Sequence, residues 1–112
     1  MKHQTAVARL AALAQGSRLA VFRLLVKKGH QGLCVGDIQS ALKLSPATLS
    51  FHLKGLLHAG LLTARQQSRH IYYLPDFDAM NELLGYLTDN CCNGEPCAVN
   101  CNPQGRRTRK PS

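Results

Sequence analysis

Acidic side chains are scarce over most of this chain. Within the first 75 residues Asp37 is the sole carboxylate, against ten lysines and arginines. Residues 76–105 show the opposite lack, with five acids and no lysine or arginine, and basic residues return from Arg106 onward. The formal net charge of +8 is therefore unevenly distributed. A basic body suits a polyphosphate surface, and the acidic segment points to an element with a different task. A long apolar run is also missing, since no stretch approaches the roughly 20 residues that cross a bilayer. The opening MKHQTAVARLAALAQGSR has neither an uninterrupted apolar core nor a leader-type cleavage site, so a cytoplasmic protein is expected, with no membrane partner. A disulfide framework is excluded on similar grounds. The five cysteines are odd in number, no secretion signal precedes them, and four crowd into residues 91–101.

What the chain does contain centres on residues 33–74, and most of all on SPATLSFHLKGLLHAG, Ser45 to Gly60. Ser45 is a good N-cap and Pro46 fits the first helical position, where no N–H is needed. Leu49, Leu53, Leu56 and Ala59 form one apolar stripe, and Gly60 ends the helix. The opposite face carries Ala47, Thr48, Ser50, Phe51 and Lys54. These side chains are small, hydroxylated or basic, apart from one aromatic ring, and suit a helix lying in a DNA groove. A shorter helix precedes it, Val35 to Leu42, across a three-residue turn of the kind a helix-turn-helix uses. Two short strands follow, Leu61 to Gln66 and His70 to Leu74, joined at Gln67-Ser68-Arg69. The expected fold class is mainly α with a small β-hairpin, a winged helix-turn-helix. Arg65 and Arg69 of the wing are expected to reach flanking phosphates of double-stranded DNA.

The flanking segments read as helices. Residues 4–14 are Ala-rich, with Val7, Leu10 and Leu13 on one side. Ser17 is the expected cap of a second helix, Arg18 to Lys28, whose Leu19, Phe22 and Leu25 should face the core. Gly29 to Gly32 reads as a loop. A last helix spans Asp76 to Asp89, with acids in its first turn, where negative charge is stabilising. Its stripe of Phe77, Met80, Leu83, Leu84 and Leu87 exceeds what a small core needs. Part of that stripe, with the first helix, is expected to form a homodimer interface. Residues 1–90 then make a DNA-binding and dimerisation domain. Residues 91–112 make a cysteine-rich segment and a basic tail too polar to fold alone.

The cysteines pose a question of coordination. Adjacent Cys91 and Cys92 point about 100° apart on a regular helix, so both can face one ion only outside helical geometry. Asn90, Gly94 and Pro96 permit that, and the resulting turn brings Cys97 toward the pair. Three thiolates make a pyramidal cup suited to trivalent arsenic or antimony. Four, with Cys101, suit tetrahedral zinc. Oxidation to a regulatory disulfide is a further reading. No helix begins after Cys91 or Cys92 to lower a thiol pKa, which argues against a thiol enzyme. Cys34 reads as a small core hydrophobe and His52 as a structural histidine.

Residues 10–89 resemble the ArsR/SmtB family of metal- and metalloid-sensing repressors. The resemblance is carried by LAQGSRLAVFRLL, by GLCVGDIQSALKLSPATLSFHLKGLLHAGLLTARQQSRHIYYL and by the terminal helix. It implies a homodimer that binds a palindromic operator and lets go when metal binds. It also favours the three-thiolate reading, with Cys91, Cys92 and Cys97 as ligands of As(III), of Sb(III) or of a methylated trivalent arsenical as inducer. Two departures stand out. Arsenite-sensing members often carry Cys-Val-Cys where this chain has Cys34-Val35-Gly36. Zinc-sensing members use histidines on the terminal helix, where this chain has none.

Overall fold

The computed structural model describes residues 1–89. The segment 91–112, with Cys91, Cys92, Cys97, Cys101 and the basic tail, lies outside the described residues. Five helices and three short strands follow in the order α1 (His3–Leu13), α2 (Gly16–Lys28), β1 (Leu33–Cys34), α3 (Val35–Leu42), α4 (Pro46–His58), β2 (Leu62–Gln67), β3 (His70–Pro75) and α5 (Phe77–Leu87). The arrangement is a winged helix-turn-helix, mainly helical with a three-stranded antiparallel wing sheet.

α4 forms where its stop and start signals stand. Ser45 is its N-cap, Pro46 occupies the first turn, and the helix ends at His58 before Gly60, which takes a φ of +79°. Its inner face, Leu49, Leu53 and Leu56, is buried against Ile38 of α3, Val21, Phe22 and Leu25 of α2, and Leu61. Each of these side chains contributes about 1.5–3 kcal/mol by leaving water. α3 stops at Lys43, which takes the left-handed conformation (φ 56°) and turns the chain toward α4.

Three local readings need correction. Gln15, not Ser17, caps α2: its side chain accepts from the Arg18 N–H at 2.8 Å, and the helix starts two residues earlier than the serine suggested. Leu19 is exposed, because the buried face of α2 runs through Val21, Phe22 and Leu25 and leaves Leu19 outside it. The reading of α1 needs no correction: Val7 and Leu10 of its apolar side face outward, and the buried residues are Ala6 and Ala12. Cys34 is half-buried rather than a core residue; it caps α3 with extended backbone and its thiol donates to Asp37 Oδ2 at 3.3 Å.

The sheet also holds more than a hairpin. β2 and β3 pair from Leu62↔Pro75 to Gln67↔His70, leaving Ser68 and Arg69 as a two-residue turn with Ser68 at φ 58°. β1 joins the other edge of β3 through Leu33↔Tyr73 and Cys34↔Tyr72. Two residues are too short for an alternating pattern to reveal, so only tertiary pairing creates this strand. Gly32 makes the pairing possible. Its φ is +73°, and a Cβ there would fall 2.9 Å from the Tyr73 carbonyl oxygen. Gly32→Ala should lower stability by about 1–3 kcal/mol, seen as a reduced urea midpoint at unchanged slope. A midpoint equal to that of the parent would show that the β1–β3 contact does not constrain this position.

Candidate nucleic-acid interface

One face of α4 stays bare after the fold is complete. Ala47, Thr48, Ser50, Phe51 and Lys54 are all exposed, although Leu49, His52, Leu53 and Leu56 on the same helix are buried. Phe51 is 64% exposed, unusual for a phenylalanine, and nothing among the described residues buries it. At the start of the helix the Ser45 hydroxyl accepts from the Thr48 N–H at 3.2 Å and donates to Thr48 Oγ1 at 2.8 Å. Thr48 therefore has its own hydroxyl proton free for an acceptor on DNA. The positive end of the helix dipole lies at this same turn.

The wing carries two arginines in different situations. Arg69 sits in the exposed turn between β2 and β3. Arg65 is fastened: its guanidinium donates to the carbonyls of His30 at 3.3 Å and Gln31 at 2.8 Å, and lies 5.9 Å from the centre of the Tyr72 ring. The turn after α2, Gly29–Gln31, is thereby tied to the middle of β2. Sequence reading missed that role, since nothing in the pattern announces which carbonyls an arginine will find.

Comparison with known proteins bears on what such a face is for. A family model described as a helix-turn-helix domain matches residues 13–65. The arsenic resistance transcriptional regulator ArsR1 of Pseudomonas putida is 32% identical over 105 residues, covering 88% of this chain and 79% of that protein. The chain belongs to the ArsR/SmtB family. Members of this family are helix-turn-helix transcriptional regulators, not enzymes. The nodulation protein NolR of Rhizobium meliloti is 35% identical over 80 residues; the match takes in 71% of this chain and spans 63% of that protein. Among solved structures, the homodimeric winged helix-turn-helix domain of Mb0332 from Mycobacterium bovis is 28% identical with a TM-score of 0.60, covering 78% of this chain and 81% of that one.

Within the ArsR/SmtB frame, two places of interest can be inspected directly. At the start of α3, Cys34 has Asp37 as its polar neighbour and Gly36 where a second thiol would stand. Among the described residues no three His, Cys, Asp or Glu side chains come together as a metal-holding group. At the other place, α1 and α5 lie side by side. His3 Nδ1 meets the Tyr86 hydroxyl at 2.8 Å, and Arg9 forms an ion pair with Glu82 at 3.5 Å. Arg9 also donates to the carbonyls of Ala59, just past α4, at 3.2 Å and of Ala79 on α5 at 3.5 Å.

The least expected feature is an arginine laid across α4. Arg18, near the start of α2, donates from Nε to His52 Nδ1 at 3.3 Å. Among the described residues His52 is the one polar or charged side chain that is buried, at 6% exposure. The histidine must be neutral at Nδ1 to accept that bond. Burial and, secondarily, the neighbouring Arg18 cation hold its pKa below the usual 6.5. Because the folded value is depressed, the unfolded chain takes up the proton first as pH falls. Stability should thus be full above about pH 6.5 and decline below it, down to the folded pKa, where the loss levels off. His52→Gln, which keeps an acceptor and does not titrate, should flatten that part of the stability curve. Equal pH dependence in the two proteins between about pH 7 and 5 would show that His52 is not the group responsible.

Proposed function

We propose that this protein is a transcriptional repressor that binds a palindromic operator as a homodimer and releases it when trivalent arsenic binds Cys91, Cys92 and Cys97. The observation that carries the DNA-binding part is the bare outer face of α4, with its five exposed groups on a helix otherwise buried. Ala47, Thr48, Ser50, Phe51 and Lys54 would meet base edges and phosphates in the major groove. Arg69 would reach a flanking phosphate from the wing tip, with Arg65 bracing the strand behind it.

The dimer reading rests on apolar surface that nothing among the described residues covers. Leu84 and Leu87 of α5 are each 54% exposed, and Val7 and Leu10 of α1 are exposed as well. Mb0332, of similar fold, is homodimeric. Two recognition helices related by a two-fold axis read two half-sites about one DNA turn apart. Leu84→Glu combined with Leu87→Glu should therefore yield a folded monomer at micromolar concentration by light scattering. A pair of substitutions that left a dimer intact would place the interface elsewhere.

The inducer reading rests on donor chemistry. Three soft thiolates match the three bonds of As(III), whereas the start of α3 offers a single thiol, beside Asp37. Covering 88% of 112 residues, the match to ArsR1 necessarily runs through residues 91–97. Antimonite can take three thiolates in the same way, whereas a monomethylated trivalent arsenical keeps its As–C bond and takes two. Cys101 is a reserve ligand, and its participation would favour a four-thiolate divalent metal such as zinc or cadmium. The test is anisotropy of a promoter duplex with and without arsenite. Cys91→Ser, Cys92→Ser and Cys97→Ser should each bind DNA as the parent does and lose release by arsenite, while Cys34→Ser should respond normally. Normal release from Cys97→Ser together with no release from Cys34→Ser would assign sensing to the helix-turn-helix instead.

A further inference from the structure

The guanidinium of Arg18 touches α4 at three successive points of one surface. Its Nε donates to His52, its Cζ lies 5.1 Å from the centre of the Phe51 ring, and it rests on the bare Cα of Gly55. The fit at Gly55 is close: an added Cβ would stand 2.7 Å from Cζ and 2.8 Å from one terminal nitrogen. A glycine inside a helix lowers its stability relative to alanine, and close approach of another group is a physical reason to find one there. The arginine is itself well anchored. Its backbone N–H is held by the Gln15 side chain, and α2 is rooted in the core through Val21, Phe22 and Leu25.

We propose that Arg18 is a positioning residue of the recognition helix, fixing the exposed Phe51 ring so that it selects a thymine by packing against its C5-methyl group. An exposed phenylalanine without support samples several rotamers, and each orientation would meet the groove differently. A cation held against one side of the ring is attracted to its π face and removes that freedom. The bond to buried His52 and the seat on Gly55 keep the cation in place. The other side of the ring is then available to DNA. A phenyl ring offers no hydrogen bond to a phosphate or a polar base edge, but it packs well on the methyl that marks thymine in the major groove. The base preference of α4 thus depends on a residue from another helix that itself need not touch a base.

This inference rests on the reading that α4 lies in the major groove, and its test separates the two. A pool of duplexes with a randomised central segment is bound by the full chain, and the bound fraction is sequenced. Phe51→Ala, Arg18→Met and Gly55→Ala are then compared with the parent. Gly55→Ala retains Arg18 but displaces its guanidinium, and alanine raises helix propensity, so this variant keeps the fold even if Arg18→Met does not. All three should lose preference for an A·T pair at the same single position of each half-site, with discrimination there reduced about five- to tenfold. The slope of affinity against salt should stay as in the parent for Gly55→Ala and Phe51→Ala. Uniform weakening of all sequences by Arg18→Met, with the slope reduced by about one, would make Arg18 a phosphate contact and overturn the inference. So would an unchanged preference in Gly55→Ala or in Phe51→Ala. A parent that selects no sequence at all would remove the groove reading, and this inference with it.

Discussion

Burial of one side of α4 is the constraint from which the rest of the molecule follows. Leu49, Leu53 and Leu56 can leave water only if α2, α3 and Leu61 close over them. That closure sets the orientation of the helix and, by the 3.6-residue period, which positions are left outside. Ala47, Thr48, Ser50, Phe51 and Lys54 are exposed because their neighbours are buried, so the packing of the core and the shape of the outer surface are one and the same choice. His52 lies at the border between the two, buried yet polar, and its single described partner is Arg18.

The scarcity of acids has a structural consequence as well as an electrostatic one. With Asp37 the sole carboxylate before residue 76, the arginines of this body rarely find an ionic partner. Among the described residues the one ion pair is Arg9 with Glu82. Arg65 is satisfied by backbone carbonyls and Arg18 by a histidine and an aromatic face. Planar guanidinium groups suit these neutral acceptors better than a compact ammonium would. Three of the ten basic residues therefore work at least partly inside the fold. Net charge alone overstates how many cations face DNA.

The helix-turn-helix was legible in the sequence because its signals act locally. The Ser45 hydroxyl and the Asp76 carboxylate each accept a backbone N–H three residues on, the ring of Pro46 dispenses with its own, and both helix starts appear where those residues stand. The wing hairpin was legible for a similar reason, although its turn is one residue shorter than expected. What escaped is what depends on distant partners. Leu33 and Cys34 become a strand only because β3 lies beside them, and Gln15 displaced Ser17 as a cap through a longer side chain that the short polar cap residues do not suggest. Of the candidate site, the outer face of α4 was readable from its period. Arg18 was not, for its partners lie more than 30 residues away; the sole trace was Gly55, a helical glycine with no turn to explain it.

The same long-range arginines bear on how α5 and α4 are joined. Arg9 holds the carbonyl of Ala59 at the end of α4 and that of Ala79 in α5, and the Asp76 N–H donates to the Leu61 carbonyl at 2.9 Å. The root of α5 is thus attached to the last turn of α4, while Arg18 grips that helix further toward its middle. A shift of α5 against α1 would act first on these bonds at the C-terminal end of α4, far along the helix from the Ser45 cap. An effector changes operator affinity only by favouring one arrangement over another, and a hundredfold change needs about 2.7 kcal/mol. A net hydrogen bond contributes about 0.5–1.5 kcal/mol. Rearranging the polar partners of Arg9 alone is therefore of the right size, and neither unfolding of α5 nor repacking of the leucine core is required.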